Sequence, residues 1–248
     1  MRLEGKVSVV TGGNSGIGLA IARAFRDEGA AVALLGRDPE SLAVAASDLG
    51  PGTIVLRGDV TRREDLERLF GEAASRHGGV DVVVASAGHY APTPFEEVDE
   101  EAFDRCCDVN FRGAFFTVRV ASPHLREGGS VILVTSTANT AGVPGLSVYA
   151  ATKAAVRSLA RTLAVELQPR GIRVNAVSPG MIDTPIFDRL GMSPDERSRV
   201  ERSMVSQIPL GRFGRPAEVA AAAVFLASDE SSYVTGVELP VSGGLGQV

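Results

Sequence analysis

Short apolar runs alternate with amphipathic helical stretches along the chain, and this alternation restricts the possible folds more than any other feature. Lys6–Thr11, Ala31–Leu35 and Val80–Ala85 are almost continuously apolar, as expected of strands that are buried on both faces. Between the first two lies Gly16–Glu28, which has helical periodicity and is followed by Gly29, a residue type that often ends helices. The sequence therefore predicts an α/β fold, with one doubly wound parallel sheet of about seven strands and helices on both faces.

The remaining predicted elements continue this pattern. We expect strands at Thr53–Leu56, Ser130–Thr135, Arg173–Val177 and Val237–Val241, and helices from Asp38 to Gly50, from Thr61 to about His77, from Asp99 onward, over Val148–Leu167 and over Pro216–Ser228. Asp38 precedes Pro39 and is expected to cap its helix, and Thr61-Arg-Arg-Glu64 has the spacing of a capping box. The stretch from Ser178 to about Gly214 is predicted to be irregular. We interpret residues 183–214 as a substrate-binding loop or lid.

The composition favours one globular domain over residues 1–248. The chain has 248 residues, of which 44% are hydrophobic and 22% charged, and these values are close to the averages of globular proteins. The formal net charge is −5, so we do not expect the basic surface that binds nucleic acid. His77, His89 and His124 are scattered without ligand spacing, and we predict no metal site.

We also expect a cytoplasmic protein with no membrane span. Cys106 and Cys107 are adjacent, which disfavours a disulfide between them and fits a reducing compartment. The amino-terminal segment lacks the apolar core and cleavage site of a signal peptide. Gly128–Thr152 contains no charged residue, but its many hydroxyl side chains would be costly in lipid. We interpret this segment as a wall of an active site.

A glycine-rich turn joins the first predicted strand to the first predicted helix. Gly12 permits a tight turn, Gly16 allows the backbone to approach a pyrophosphate, and Gly18 allows close packing of the helix on the sheet. The start of the helix then offers free N–H groups to the phosphates. A glycine-rich turn without a ligand has the same pattern, but the strand–turn–helix context favours a dinucleotide site on a Rossmann fold. No Gly-Lys-Ser/Thr follows, which excludes a P-loop.

Tyr149 and Lys153 are four residues apart on the predicted helix that begins near Val148. This spacing places both side chains on one face. A nearby ammonium favours the phenolate and is expected to lower the pKa of the phenol towards the working range of an acid/base catalyst. Ser136 follows the fifth predicted strand, at the sheet edge where ligands bind, and its hydroxyl is placed to hydrogen-bond a carbonyl group. Each residue alone is ordinary, but the three together indicate a catalytic site.

These motifs resemble those of the short-chain dehydrogenase/reductase family, and the likeness covers essentially the whole chain. Within that family, the chain looks like a member similar to the 3-oxoacyl-carrier-protein reductases. The Gly-x-x-x-Gly-x-Gly turn and the Ser-x12-Tyr-x3-Lys spacing carry the resemblance. The resemblance implies that Tyr149 is the general acid/base, that Lys153 lowers its pKa and holds the nicotinamide ribose, and that Ser136 orients the carbonyl. It implies that Asn110 supports a water relay to the lysine, and that the enzyme is a homotetramer. We call Asn110, Ser136, Tyr149 and Lys153 the catalytic set.

The end of the second predicted strand bears on the choice of nicotinamide cofactor. Gly36 stands where the family's NAD-selecting aspartate is usually found, and Arg37 follows it. A guanidinium binds a phosphate with paired N–H donors, so we favour NADP(H) over NAD(H). Arg37 stacking on adenine without selecting a cofactor is the alternative. Ser15 stands where many NADP-dependent relatives have a basic residue.

The resemblance also implies further cofactor contacts. In the family the residues that match Asp59 and Val60 contact the adenine, and those that match Ile182 and Thr184 lie near the carboxamide. Ala85-Ser86-Ala87-Gly88 departs from the usual Asn-Asn-Ala-Gly but keeps the small residues. The predicted cofactor set is Gly12, Asn14, Ser15, Gly16, Ile17, Gly18, Arg37, Asp59, Val60, Ser86, Ala87, Gly88, Tyr149, Lys153, Pro179, Gly180, Ile182 and Thr184.

The function that these residues favour is reduction of a ketone or aldehyde, or oxidation of the matching secondary alcohol, with NADP(H). An NAD-dependent alcohol, polyol or steroid dehydrogenase is the alternative, and an inert NADP-binding regulator on the same fold is another. The expected substrate walls are Ala138–Val148 and Thr184–Gln207. Their apolar residues are Val143, Pro144, Leu146, Val148, Ile186, Phe187, Leu190, Met192 and Met204. A partly apolar substrate is indicated, and a 3-oxoacyl thioester, a steroid-like ketone and a polyol all remain open.

Overall fold

A seven-stranded, all-parallel sheet forms the centre of the computed structural model, which describes residues 1–185 and 194–247. The strands are β1 (Val7–Thr11), β2 (Ala31–Gly36), β3 (Ile54–Arg57), β4 (Val80–Ala85), β5 (Leu125–Val134), β6 (Arg173–Pro179) and β7 (Glu238–Val241). Their order across the sheet is β3-β2-β1-β4-β5-β6-β7, and every neighbouring pair is parallel. The predicted doubly wound fold is confirmed.

Helices cover both faces of the sheet and bury its apolar side chains. They are α1 (Gly16–Asp27), α2 (Pro39–Leu49), α3 (Arg63–His77), α4 (Glu100–Cys107), α5 (Gly113–Ala121), α6 (Ser147–Glu166), α7 (Pro194–Val205) and α8 (Pro216–Ala227). On one face Phe70 of α3 and Val156 of α6 are fully buried against the strands. On the other face Phe25 of α1 and Val224 of α8 are fully buried. The sheet is thus buried on both sides, which explains its continuous apolar strands.

The strand order places a topological switch point between β1 and β4. From β1 the chain builds the sheet outward to β3, and then returns to add β4 on the other side of β1. In doubly wound sheets ligands bind outside the carboxyl ends of the strands at such a point. The glycine-rich turn after β1 and the residues that follow β4 and β5 all lie at this edge.

Helix caps explain where several helices begin. Asp38 accepts a hydrogen bond from the Ser41 N–H at 2.8 Å, so its predicted role as the cap of α2 is confirmed. The predicted capping box at Thr61 is wrong, because α3 begins only at Arg63. The Thr61 hydroxyl instead donates to Asp59 Oδ1 at 2.9 Å, which leaves it no role at the helix start.

Two other segments differ from the sequence-based expectation. The helix after Asp99 is divided into α4 and α5 by a π-helical turn at Asp108–Arg112. The stretch predicted to be irregular is partly regular, because β6 runs to Pro179 and α7 lies within it. The proline and the acids of Pro194-Asp195-Glu196 are typical of a first helical turn and are the signal that could have identified α7.

Candidate active site

One large cavity lies along the carboxyl edge of the sheet. Its volume is about 1150 Å³, which is large enough for a dinucleotide together with a small substrate. Every residue of the predicted cofactor set lines it, and so does Ser136, whereas Asn110 is buried behind its wall. Among the residues that the structure describes, the charged ones lining it are Arg37, Asp38, Asp59 and Lys153.

The glycine-rich turn has the backbone of a phosphate cradle. Gly12 has φ +68°, and a Cβ there would lie 2.8 Å from Ala87 Cα, so the position requires glycine. Gly16 has φ +53° and begins α1, and within the described structure the Ser15 side chain caps none of the N–H groups in the first turn. Those groups are left for an anionic ligand, assisted by the helix dipole. The turn therefore fits the pyrophosphate of a nicotinamide dinucleotide.

Lys153 is a nearly fully buried ammonium at the centre of the cavity wall. Its side chain is on α6 and only 4% of the residue is exposed. Nζ donates to the carbonyl oxygen of Val134, the last residue of β5, at 2.9 Å, and lies 5.8 Å from the ring centre of Tyr149. Burial lowers the pKa of Lys153 to about 8. The fold thus keeps the ammonium of Lys153, whose burial is energetically unfavourable, beside the phenol of Tyr149.

Tyr149 is held against other aromatic and hydroxyl groups. Its ring contacts Tyr90 edge-on, with 5.2 Å between the ring centres. Burial raises the pKa of Tyr149 to about 12, and hydrogen bonding from the Ser136 hydroxyl opposes this rise. The structure therefore differs from the expectation of a lowered pKa, because the desolvation of the phenol outweighs the groups that stabilise its anion.

Ser136 is oriented by the backbone that follows it. It caps a short 3-10 turn, Thr137–Asn139, and its Oγ accepts a hydrogen bond from the Ala138 N–H at 3.2 Å. Because that oxygen already accepts from the backbone, the hydroxyl proton is directed elsewhere. Ser136 is thus arranged as a donor towards Tyr149 or towards a substrate oxygen.

Asn110 lies in the π-helical turn and is saturated with protein partners. Its Oδ1 accepts from the His89 N–H at 2.6 Å, and its Nδ2 donates to the His89 carbonyl at 3.0 Å and to Thr152 Oγ1 at 3.2 Å. Asn110 therefore connects the segment after β4 to α6. Its partner on α6, Thr152, directly precedes Lys153. The water relay that the resemblance implies for Asn110 stays a prediction.

Arg57 is a cation beside the adenine end of the cavity that the sequence pattern did not single out, although it does not itself line the cavity. Arg37 Nη1 lies 3.6 Å from Asp59 Oδ2, and Arg57 Nε donates to the Arg37 carbonyl oxygen at 3.2 Å. Arg57 is the last residue of β3 and pairs in register with Gly36. The proximity of Arg57 to Arg37 follows from the pairing of β2 with β3, which the sequence alone does not specify. The side chain of Asn14 packs where a side chain at Gly36 would lie.

The substrate end of the cavity is almost free of charge. Apart from Lys153, the described residues around Tyr149 are uncharged or, in His89, have a pKa lowered by burial. Val143, Leu146, Met204 and Gln207 line the cavity and belong to the predicted walls, whereas the predicted Pro144 and Val148 do not line it. Tyr90 and Leu245 line it in addition. Ile186, Phe187, Leu190 and Met192 lie outside the described residues. The arrangement suits an uncharged substrate.

Two other features are absent from the described ranges. These ranges contain no cluster of three or more histidine, cysteine or acidic side chains arranged to hold a metal ion. Helices both long and apolar enough to cross a bilayer are likewise not found among them.

Comparison with known proteins gives matches over nearly the whole chain. A family model described as enoyl-(acyl carrier protein) reductase matches residues 12–246. An L-fucose dehydrogenase from Mus musculus is 43% identical over 98% of this chain and 89% of its own length. A 3-oxoacyl-[acyl-carrier-protein] reductase from Thermotoga maritima is 41% identical over 99% of both chains. A crystal structure from Brucella melitensis, titled short-chain dehydrogenase/reductase and glucose/ribitol dehydrogenase, superposes with a TM-score of 0.93 at 36% identity over 100% of this chain and 99% of that one.

Proposed function

The chain belongs to the short-chain dehydrogenase/reductase family of nicotinamide-dependent oxidoreductases, and we propose that it reduces an uncharged ketone or aldehyde with NADP(H), or oxidises the matching secondary alcohol. The observation that carries this proposal is the meeting of Ser136, Tyr149 and Lys153 in the same cavity that the phosphate cradle lines. A catalytically inert NADP-binding regulator would not need these three side chains together.

The chain's own residues divide the proton chemistry between them. When bound, a nicotinamide supplies or accepts the hydride. In reduction Tyr149 donates its phenolic proton to the carbonyl oxygen, while Ser136 donates a hydrogen bond to the same oxygen and opposes rotation of the substrate. The Lys153 ammonium stabilises the phenolate that remains, because it is desolvated and lies 5.8 Å from the ring centre. In oxidation the same groups work in reverse, with the phenolate as base.

The adenine end supports NADP(H). Arg37 is half exposed and lines the cavity, and Arg57 brings a second positive charge to the same strand edge. Gly36 has no side chain to oppose a 2′-phosphate there, and the carboxylate of Asp38, which also lines the cavity, accepts a hydrogen bond from the Ser41 N–H. The ion pair of Arg37 with Asp59 supports the alternative, an NAD-dependent dehydrogenase of polyols or sugars, because it partly neutralises the guanidinium.

We expect Arg37→Gln to lower kcat/KM with NADPH by about 10- to 150-fold, since charge-assisted hydrogen bonds contribute roughly 1.5–3 kcal/mol. With NADH the change should stay within about twofold. Arg62→Gln is the matched control, because Arg62 is exposed and does not line the cavity. Steady-state kinetics with both cofactors decides the matter. An unmodified enzyme that prefers NADH would show that Arg37 does not select NADP(H).

The substrate is best sought among uncharged carbonyl compounds. The described cavity lining offers hydrogen-bonding groups in Gln207 and in Tyr90, which contacts Tyr149, and apolar surface in Val143 and Met204. Its positively charged residues are Lys153 and, at the adenine end, Arg37. A panel of neutral ketones, a 3-oxoacyl thioester and neutral sugars, monitored by the absorbance of the reduced cofactor, tests the proposal. Turnover of none of them by the unmodified protein would refute it.

We also propose that the enzyme is a homotetramer located in the cytoplasm. Phe103 on α4, Phe115 on α5 and Val165 on α6 are 50%, 39% and 75% exposed, and these helices are the ones that the family resemblance places at a subunit interface. Both cysteines are free thiols. Light scattering at micromolar concentration should give the mass of four chains, and a monomer would contradict the expectation.

A further inference from the structure

Glu238 is the first residue of β7 and does not line the cavity, and several donor groups surround its carboxylate. Its side chain is 11% exposed. Oε1 accepts from Thr135 Oγ1 and from Asn139 Nδ2, both at 2.6 Å. Oε2 lies 2.9 Å from Arg157 Nε, where the direction of the N–H makes the contact an ion pair rather than a hydrogen bond. None of these contacts belongs to the proton chemistry derived above.

The partners of Glu238 flank the catalytic groups on both sides. Thr135 directly precedes Ser136, and Asn139 ends the 3-10 turn that Ser136 caps. Glu238 therefore holds the two ends of the segment that orients the serine hydroxyl. Arg157 lies on α6, one helical turn after Lys153, so the same carboxylate also connects this segment to the helix that carries Tyr149.

The geometry of the turn makes this connection important. Ser136 Oγ accepts from the Ala138 N–H at 3.2 Å, and the same hydroxyl is hydrogen-bonded to Tyr149. Hydrogen bonds to a carboxylate are shorter and stronger than those between neutral groups, so Glu238 resists rotation of the turn more than a neutral acceptor would. Without it, the start of the turn would depend on the Val177 carbonyl, which accepts from the Thr135 N–H at 2.9 Å and lies 3.1 Å from Thr135 Oγ1.

We propose that Glu238 is a positioning residue that holds Ser136 in its donating orientation towards Tyr149 and the substrate oxygen. This inference rests on the proposed function, since it assigns Glu238 a role in the same reaction. It adds a residue that lies about 100 positions from the serine in sequence and that does not line the cavity.

The test compares Glu238→Ala and Glu238→Gln. We expect Glu238→Ala to lower kcat at least 10-fold with the Kd of the cofactor unchanged within twofold. Glu238→Gln keeps an oxygen that accepts from Thr135 and Asn139, and its kcat should stay within about threefold of the unmodified enzyme. Asp81→Ala is the matched control, because Asp81 is a half-buried strand carboxylate at the opposite edge, bound to the Val7 N–H at 2.7 Å and to Arg126 Nη1 at 2.6 Å. It should lower Tm and leave kcat unchanged.

Two further measurements separate positioning from a general loss of stability. In a Ser136→Ala background, Glu238→Ala should lower kcat by less than twofold more, because the group through which it acts is already gone. Hydrogen exchange of residues 135–140, followed by mass spectrometry, should be faster in Glu238→Ala than in Glu238→Gln or Asp81→Ala.

Additive losses in the double variant, or unchanged exchange in Glu238→Ala, would overturn the inference. The exchange measurement does not depend on turnover. An unmodified protein that reduces no carbonyl compound therefore refutes the proposed function, and the exchange result then decides separately whether Glu238 holds the turn.

Discussion

Replacing Tyr149 with phenylalanine should lower kcat for carbonyl reduction by about 10²- to 10⁴-fold, the range for loss of a general acid. Phenylalanine keeps the ring that packs edge-on against Tyr90, so the fold and the cavity should be preserved. The phosphate cradle is untouched by this substitution, and the Kd of the cofactor should change by less than about threefold.

Tyr233 provides the control for this variant, because its side chain is fully exposed and lies outside the cavity lining. Tyr233→Phe should have the kcat of the unmodified enzyme. Single-turnover kinetics together with cofactor titration distinguishes a lost proton donor from lost binding. A Tyr149→Phe enzyme that retains more than a tenth of the normal rate would remove Tyr149 from the mechanism.

Lys153→Met should reduce activity and raise stability at the same time. In the folded protein the pKa of Lys153 is lowered to about 8 from 10.5, so the native state disfavours the ammonium relative to the unfolded chain. This penalty is fully present below about pH 8 and disappears as the pH rises towards 10.5. At pH 7, methionine should stabilise the fold by about 1–2 kcal/mol, after subtraction of the lost bond to the Val134 carbonyl.

The catalytic effect of the same change has a predictable sign. Without the ammonium the phenolate of Tyr149 loses a nearby positive charge, which acts in the same direction as the burial that already raises the pKa of Tyr149. Alcohol oxidation needs the phenolate, and the rising limb of its pH profile should therefore move to higher pH, with a steep loss of rate at neutral pH. Cofactor affinity should also weaken, since the family resemblance gives Lys153 a contact with the ribose.

Thermal melts at pH 7 and pH 10 and pH–rate profiles of alcohol oxidation check both parts. The gain in Tm should be several degrees at pH 7 and smaller at pH 10. Lys153→Arg is the comparison, because it retains the charge in a larger group. An unchanged pH profile in Lys153→Met, or a lower Tm at pH 7, would contradict the role given to this residue.

The local features of the site could be predicted from sequence because they depend on neighbours within a few residues. The glycine-rich turn between β1 and α1 follows from residue type and spacing, and so does the cap of α2 by Asp38. The spacing of Tyr149 and Lys153 places them one helical turn apart in any chain that is helical there. The continuous apolar strands likewise indicate a parallel sheet with two buried faces, because burial on both sides removes the usual alternation.

Prediction from neighbouring residues failed where a side chain has another partner in the folded protein. Thr61 has the spacing of a helix cap, but its hydroxyl is used by the turn at Asp59. The helix after Asp99 has no proline or other breaker at Asp108–Arg112, and the π-helical turn there accompanies the contacts of Asn110 with His89, far away in sequence. Periodicity within one helix contains no information about such a partner.

The amino-acid pattern by itself thus determined the fold class, the position of the glycine-rich turn and the spacing of Tyr149 and Lys153 on one helix, since each follows from short-range geometry. Only the tertiary structure decided how those groups behave. Burial raises the pKa of Tyr149 and lowers that of Lys153, and desolvation depends on atoms supplied by the whole fold. The approach of Arg57 to Arg37 and of Glu238 to the Ser136 turn depends on the pairing order of the strands. Contacts between residues about 20 and 100 positions apart leave no periodic trace in one sequence, because they are made only after the sheet has assembled.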